Sequence, residues 1–392
     1  MIGKLLKMVK SSNKKRGRNI TVGAVVGMLL SCTVVMGGTI DVKATELEIT
    51  KDPNGNIKFK DKDGNLFVPE SENEKNPYPD NNWNASTNTY TNNSVISGKR
   101  EVADFSSEVH EAALKVTAPE INLVNNGVIE NEITVKSDTG DKSIYGYGIY
   151  VDSDLNGSLT NNGIITSITS KYAFGIYTSS ALTGTLTNNG IITSDGDFWG
   201  TGIHIDSALT GTLTNNGIIT VVASGKGSYK SYGIYLKYNS DSTGTLTNNG
   251  IIVTTSSGDN SYGIVLKLNS NENPTNNGLI PTNNGLITVS TFEQPASGIC
   301  ILSELNGTLT NNGTITGTST GTEVSSLGYG IYIHSDLTAN ITNTGVIYGS
   351  TSAININSGT LEDLYNYGLL VTGGTDVISG TVTKLNNYGL AF

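Results

Sequence analysis

Apolar positions in this chain come in short runs, and the runs themselves recur. The phrase GTLTNNGIIT fills residues 184–193 and again 211–220, with GTLTNNGII at 244–252 and GTLTNNGTIT at 307–316. Counted from the Gly of each Asn-x-Gly triplet, position −4 is Leu123, Leu159, Leu186, Leu213, Leu246, Leu309, Ile341, Leu364 and Leu385, broken in the tandem copies at Pro274 and Pro281. Position +2 is Ile from Ile129 to Ile347, then Leu370 and Ala391. A second anchor, x-Gly-Ile, supplies Ile149, Ile176, Ile203, Ile234, Ile264, Ile299, Ile331 and, after Ala353 in the glycine's place, Ile354. Runs this short and this rich in β-branched residues predict strands, not helices.

The spacing predicts how the strands are arranged. From the x-Gly-Ile glycine to the next Asn-x-Gly glycine is 15 residues in most copies, as from Gly148 to Gly163 or Gly175 to Gly190. The return distance varies: it is 12 from Gly163 to Gly175, 16 from Gly217 to Gly233 and 17 from Gly313 to Gly330. A half of fixed length alternating with an elastic half reads as strands alternating with loops, where insertion costs little. Three apolar runs in a repeat of about 27 residues predict an all-β chain. The expected fold is a right-handed parallel β-helix, with three strands per coil and about ten coils over residues 121–392. Like residues then stack in columns about 4.8 Å apart. Position −2 of each Asn-x-Gly is Asn125, Asn161, Asn188, Asn215, Asn248, Asn276, Asn283, Asn311, Asn343, Asn366 and Asn387. An amide carries both donor and acceptor, so these are expected to bond up and down the stack, with the following Gly giving a corner of positive φ. The tandem PTNNGLIPTNNGLI at 274–287 is too short to add a coil, so one copy should sit in the stack and the other bulge out.

Before the repeats the pattern changes. Residues 1–44 read as an export segment: a basic head, then an uncharged run from Asn19 to Ile40. A membrane anchor is the other reading of that run, which its Gly, Thr and Ser weaken. Cleavage is expected after Ala44, or before a lipidated Cys32. Removal would leave Cys300 as one thiol, so no intrachain disulfide is expected. Residues 45–96, with NIKFKDKDGNLFV, predict a hairpin or two and a linker. Residues 97–120 are read as an N-terminal cap. Val102, Phe105, Val109, Ala112 and Val116 fall near helical spacing, so a short amphipathic helix is expected there, a strand being the alternative. At the other end the chain stops inside the repeat at NNYGLAF, read as an uncapped coil that docks on something or is truncated.

Together these features resemble the passenger region of Gram-negative autotransporters, the type V secreted surface proteins. KKRGRNITVGAVVGMLLSCTVVMG is similar to the extended export segment of one branch, and the GTLTNNGIIT coils are similar to its β-helical passengers. The resemblance implies an exported chain at the cell surface, the outer membrane or outside the cell, or in the periplasm without a translocator. It also implies an outer-membrane translocator barrel. None is found in this sequence, so the barrel would act in cis from a missing segment or in trans.

Charge narrows the function classes. The net charge is −10, and seven of the 24 Lys and Arg lie in the first 40 residues, leaving 17 against 34 acids. Such a body is a poor nucleic-acid binder. Acids in the coils are scattered, and no HExxH or phosphate loop occurs. No enzyme, cofactor or metal site is therefore expected, a polysaccharide-acting β-helix enzyme being the alternative. Position +2 after each x-Gly-Ile glycine should point outward, giving an exposed contact column of Tyr150, Tyr177, His204, Tyr235 and Tyr332, with Val265 and Cys300 in the same file. The expected role is a structural stalk or adhesin that meets a glycan or protein on a host or neighbouring cell. Paired Thr residues such as Thr185/Thr187 and Thr212/Thr214 form a hydroxyl lattice on another face, a second alternative being an ice-binding solenoid.

Overall fold

In the computed structural model, the described residues are 46–392 except 68–77, 79, 103–107, 136–142, 225–229, 239–241, 269–278, 293, 304, 306, 322–324 and 336. The export segment thus lies outside them. Every helix or strand element among them is a strand. The chain is an all-β parallel solenoid of about seven regular turns. In one turn, strands Tyr172–Thr178, Thr185–Asn188 and Ile191–Gly196 follow one another. The first two kinds of segment join a single 23-stranded sheet, and the third forms a separate 11-stranded sheet. The coil wall is therefore two hydrogen-bonded sheets and not three separate faces.

Register is strict from turn to turn. Ile176 lies over Ile149 and under Ile203, Leu186 between Leu159 and Leu213, and Ile192 between Ile165 and Ile219. These columns are buried and form one continuous core. Each buried Ile or Leu contributes about 1.5–3 kcal/mol, and only through its neighbours above and below. A further column, Leu155, Leu182 and Leu209, is held by isolated parallel bridges within the fixed-length half.

The regular part is shorter than the ten coils that anchor counting predicts, for reasons visible at three places. In the tandem heptads, Asn283 of the second copy takes the rung between Asn248 and Asn311. Asn276 of the first copy lies outside the described residues. Towards the C-terminus the first two segments fuse into one strand, Ser352–Asn366. At the N-terminal end the stack meets antiparallel strands. Leu47–Lys51 pairs with Ile57–Asp61, which pairs with Leu66–Phe67.

Among the described residues the expected cap helix does not form, and Phe105 of that reading lies outside them. Val95–Val102 and Val109–Val116 are strands, the second lying parallel to Ile144–Val151 with Leu114 under Ile149. Leu114 and Val116 are buried and Lys115 is not, a period of two. The exposed edge of the next coil is a template that a short amphipathic run pairs with more readily than it folds alone. The open core is instead closed by the hairpin. Phe59 packs 5.2 Å from Tyr90 and 5.1 Å from Trp83, as ring centroids.

The Asn column forms as expected. Each Nδ2 donates to the Oδ1 of the next rung at 2.7–2.8 Å, from Asn125 to Asn161, then Asn188, Asn215, Asn248, Asn283, Asn311, Asn343, Asn366 and Asn387. Asn92 extends the ladder one rung earlier, at 2.8 Å to Asn125. The amides from Asn92 to Asn366 have no exposed surface. The second Asn of each NNG builds an outer, exposed ladder of opposite polarity. There the Nδ2 of each later rung donates back, from Asn126 to Asn93, Asn162 to Asn126, and on to Asn312 to Asn284. Opposed amide dipoles side by side cancel along the axis.

The glycine of the triplet is needed for a different reason from the positive φ expected. Among the described residues, positive φ at Gly occurs at Gly55, Gly64, Gly359 and Gly380. A Cβ on Gly163 would instead overlap the carbonyl oxygen of Gly127 one turn below, and one on Gly190 that of Gly163. Ser94 holds this place in the first rung, and its Oγ donates to Asn81 Oδ1 at 2.9 Å.

Candidate functional site

The outward face of the x-Gly-Ile strands carries the densest concentration of aromatic rings. Its geometry starts at the glycine. Tyr147 pairs with Phe174 and Ile149 with Ile176, but Gly148 and Gly175 are passed over in the register. The skipped residue resets the alternation, so Tyr147 and Tyr150 both point outward while Ile149 and Val151 point in. Position −1 thereby joins position +2 on the surface. Position −3 makes a third file, with Tyr145, Tyr172, Trp199 and Lys230 in register above His110.

The rings stack along the axis. His110 lies 4.5 Å from Tyr145 with planes 6° apart, and Tyr145 lies 4.7 Å from Tyr172. Tyr147 lies 5.3 Å from Phe174, Tyr177 4.8 Å from His204, and His204 4.6 Å from Tyr235. Further along, Tyr232 stacks on Tyr262 at 5.5 Å. Contacts of this kind add about 0.5–1.5 kcal/mol each beyond the area they bury. Because faces meet faces, solvent meets mainly ring edges and hydroxyls.

The file predicted to be exposed is only partly so. Tyr150, Tyr177 and Tyr332 are half-buried, whereas His204 and Tyr235 are each 7% exposed and Cys300 is fully buried. The neighbouring −1 file covers them, with Tyr232 and Tyr235 joining Val265 and Cys300 in a small apolar cluster outside the main core. Burial pushes the Cys300 thiol up, away from thiolate chemistry.

One polar group lies within the aromatic face. Asp206 accepts from Tyr177 Oη at 3.1 Å and pairs with Lys237 Nζ at 3.0 Å. His204 Nε2 stands 3.7 Å from its Oδ1. Burial alone would raise the Asp206 carboxyl, but His204 and Lys237 hold it down to about 2. Burial lowers the His204 imidazole, whose two nitrogens have no hydrogen-bond partner among the described residues. Burial, then the Asp206 charge, pushes Tyr235 up to about 12. This is one carboxylate among aromatic rings, an arrangement that orders a surface. Among the described residues, no three His, Cys, Asp or Glu stand together as metal ligands.

Sequence reasoning missed the −1 and −3 files, although YGYGIY, YAFGIY and SYGIY display them. One column of the Thr lattice is continuous, while its partner column, Thr185, Thr212 and Thr245, meets Ile280. Thr160, Thr187, Thr214, Thr247, Thr282, Thr310 and Thr342 follow in register without a break, since Thr282 and not the Pro274 copy enters the stack.

A scan against protein-family models finds no match, and searches of curated proteins and of solved structures find none either.

Proposed function

We propose that this chain is the passenger of a type V secreted surface protein, a non-catalytic stalk or adhesin displayed outside the cell. The observation that carries the reading is the aromatic face, with ring contacts running from His110 to Tyr262, stacked at either end and tilted at Trp199, beside a uniform coil. A uniform coil of right-handed sense, with three strands per turn and up to ten turns once the irregular ends are included, suits a spacer. A stripe of ring edges and hydroxyls suits contact with a glycan or protein on a host or neighbouring cell. Delivery would use an outer-membrane barrel in cis or in trans, after an export segment removed at Ala44 or Cys32. The test is display of the chain on a bacterium lacking adhesins, followed by attachment to cells and to immobilised glycans. Attachment that falls at least tenfold in a Tyr150→Ala, Tyr177→Ala double variant supports the reading. No gain over the parent strain on any surface overturns it.

The seven Thr in register favour a second reading, an ice-binding face. Hydroxyls repeated at about 4.8 Å on a flat sheet offer an ordered template for water. Thermal hysteresis of the purified chain, lost in Thr214→Tyr, would support it, and none at millimolar concentration would end it.

A further inference from the structure

The aromatic files end abruptly on the strand Val109–Val116. His110 continues the Tyr145 file, and Lys115 stands over the Tyr150 ring with its Nζ 5.5 Å from the centroid. Between them, the residue in register with Tyr147 is Ala112. One ring is thus missing from the ladder, and a cavity of about 250 Å³ opens at that place. Tyr147, Tyr150 and His110 line one side, and Glu46 and Glu48, beside the adjoining hairpin strand, line the other. His110 Nδ1 lies 2.9 Å from the Tyr147 hydroxyl, holding the aromatic wall in place.

The lining is rich in charge, and its acids are held by neighbours. Arg100 bridges Glu46 at 2.9 Å and Glu111 at 2.6 Å, Lys60 faces Glu48 at 3.4 Å, and Lys115 pairs with Asp152 at 3.1 Å. Asp61, also in the lining, accepts from the Asp63 and Asn65 backbone amides and from Asn65 Nδ2. Each lining acid thus already has a cation or donors beside it, so the cavity does not call for a charged guest. It offers aromatic carbon on one side and fixed donors and acceptors on the other. A neutral ring with an apolar face and a hydroxylated rim matches that division. The size, below the roughly 300–1,000 Å³ of pockets for drug-sized ligands, suits one ring and not a chain.

We propose that this cavity binds the terminal pyranose of a neutral glycan, the sugar ring standing where the ladder omits an aromatic one. The inference rests on the adhesin reading and names its receptor chemistry. The rest of such a glycan would leave the cavity along the half-buried Tyr150 and Tyr177.

Saturation-transfer NMR on the full chain tests it, with the methyl glycosides of galactose, glucose, mannose and N-acetylglucosamine as probes, and choline and sialic acid as charged controls. At least one neutral glycoside is expected to bind. Ala112→Trp, which supplies the missing ring, should weaken it at least tenfold, and Tyr332→Ala should not. If Ala112→Trp does not fold, Tyr150→Ala on the surface should show the same tenfold loss. Absence of binding by every neutral glycoside, binding by choline or sialic acid alone, or unchanged affinity in the folded variant overturns the proposal. A displayed chain that attaches cells yet binds no glycoside refutes the cavity and leaves adhesion standing. A chain that binds a glycoside in the cavity but attaches nothing supports the cavity and refutes adhesion.

Discussion

The Cγ2 methyl of Ile192 occupies the space a Cβ on Gly175 would need, and the carbonyl oxygen of Gly202 lies 2.6 Å from that same point. The relationship recurs along the core, as with Gly202 against Ile219, Gly233 against Ile252 and Gly330 against Ile347. It changes in one turn: Ala353 takes the glycine's place, and Leu370, which has no Cγ2, stands where Ile would be. Both are buried. Backbone on one wall and a β-branched methyl on the other thus set the width of the core.

Gly175→Ala should therefore destabilise the chain by about 1–3 kcal/mol, the usual cost of overpacking. Ile192→Leu in the same chain should recover part of that loss, because the Gly202 carbonyl still crowds the new methyl. Urea unfolding of the two single variants and the double variant measures the coupling. Additive effects would show that the two side chains do not meet.

The two amide ladders should respond very differently to the same truncation. Asn215→Ala leaves Asn188 Nδ2 and Asn248 Oδ1 buried without their 2.7 and 2.8 Å partners. Each orphan costs about 1–3 kcal/mol, so a loss of roughly 2–5 kcal/mol is expected. Asn216→Ala, one residue on in the exposed ladder, should cost under about 1 kcal/mol, since water replaces the bonds to Asn189 and Asn249. Equal losses in thermal melts would contradict the burial assigned to the inner ladder.

Much of this architecture was legible because the chain is its own alignment. Ile176, Leu186 and Ile192 could be assigned to the core by comparing one turn with the next. Letters alone did not show why Gly163 is Gly, since close approach and positive φ select the same residue. The Tyr147 file was missed because strict alternation places it inside, and only the skipped Gly148 turns it out. Asn92 was missed because Ser94 stands in place of its triplet's Gly. The strand Val109–Val116 was mistaken for a helix because its partner is non-local.

Stability should fall in two steps on acidification. His204 is buried, and its imidazole is lowered from 6.5, so below pH 6.5 the unfolded chain takes up a proton that the folded chain resists. That contribution is complete above 6.5 and declines as pH falls. Asp206, held down to about 2 from 3.8, adds a second decline between those values, about 1 kcal/mol after allowance for solvent screening. His204→Phe should keep the ring contacts with Tyr177 and Tyr235, remove the first step and shrink the second, since His204 is one of the two groups that hold Asp206 down. Melting temperatures from pH 8 to 3 measure this, and an unchanged first step in the variant would assign it to another group.

Pro281 interrupts the Leu column. It pairs with Leu246 below, but the strand above is in register only at Thr282–Thr310 and Asn283–Asn311, short of Leu309. The missing N–H explains the gap, because proline cannot donate to a ladder. Pro281→Leu should extend the pairing to Leu309 and fill the buried site with a side chain like those of Leu213 and Leu246. The added hydrogen bond is worth about 0.5–1.5 kcal/mol, and the extra apolar burial about the same. The looser unfolded chain takes back about 0.4–1 kcal/mol. A net gain of roughly 1 kcal/mol is expected, read as a rise in urea midpoint. The backbone amide that the substitution introduces should also exchange its hydrogen more slowly than exposed loop amides do. A lower midpoint would mean that the proline relieves a crowded turn after the duplicated heptad.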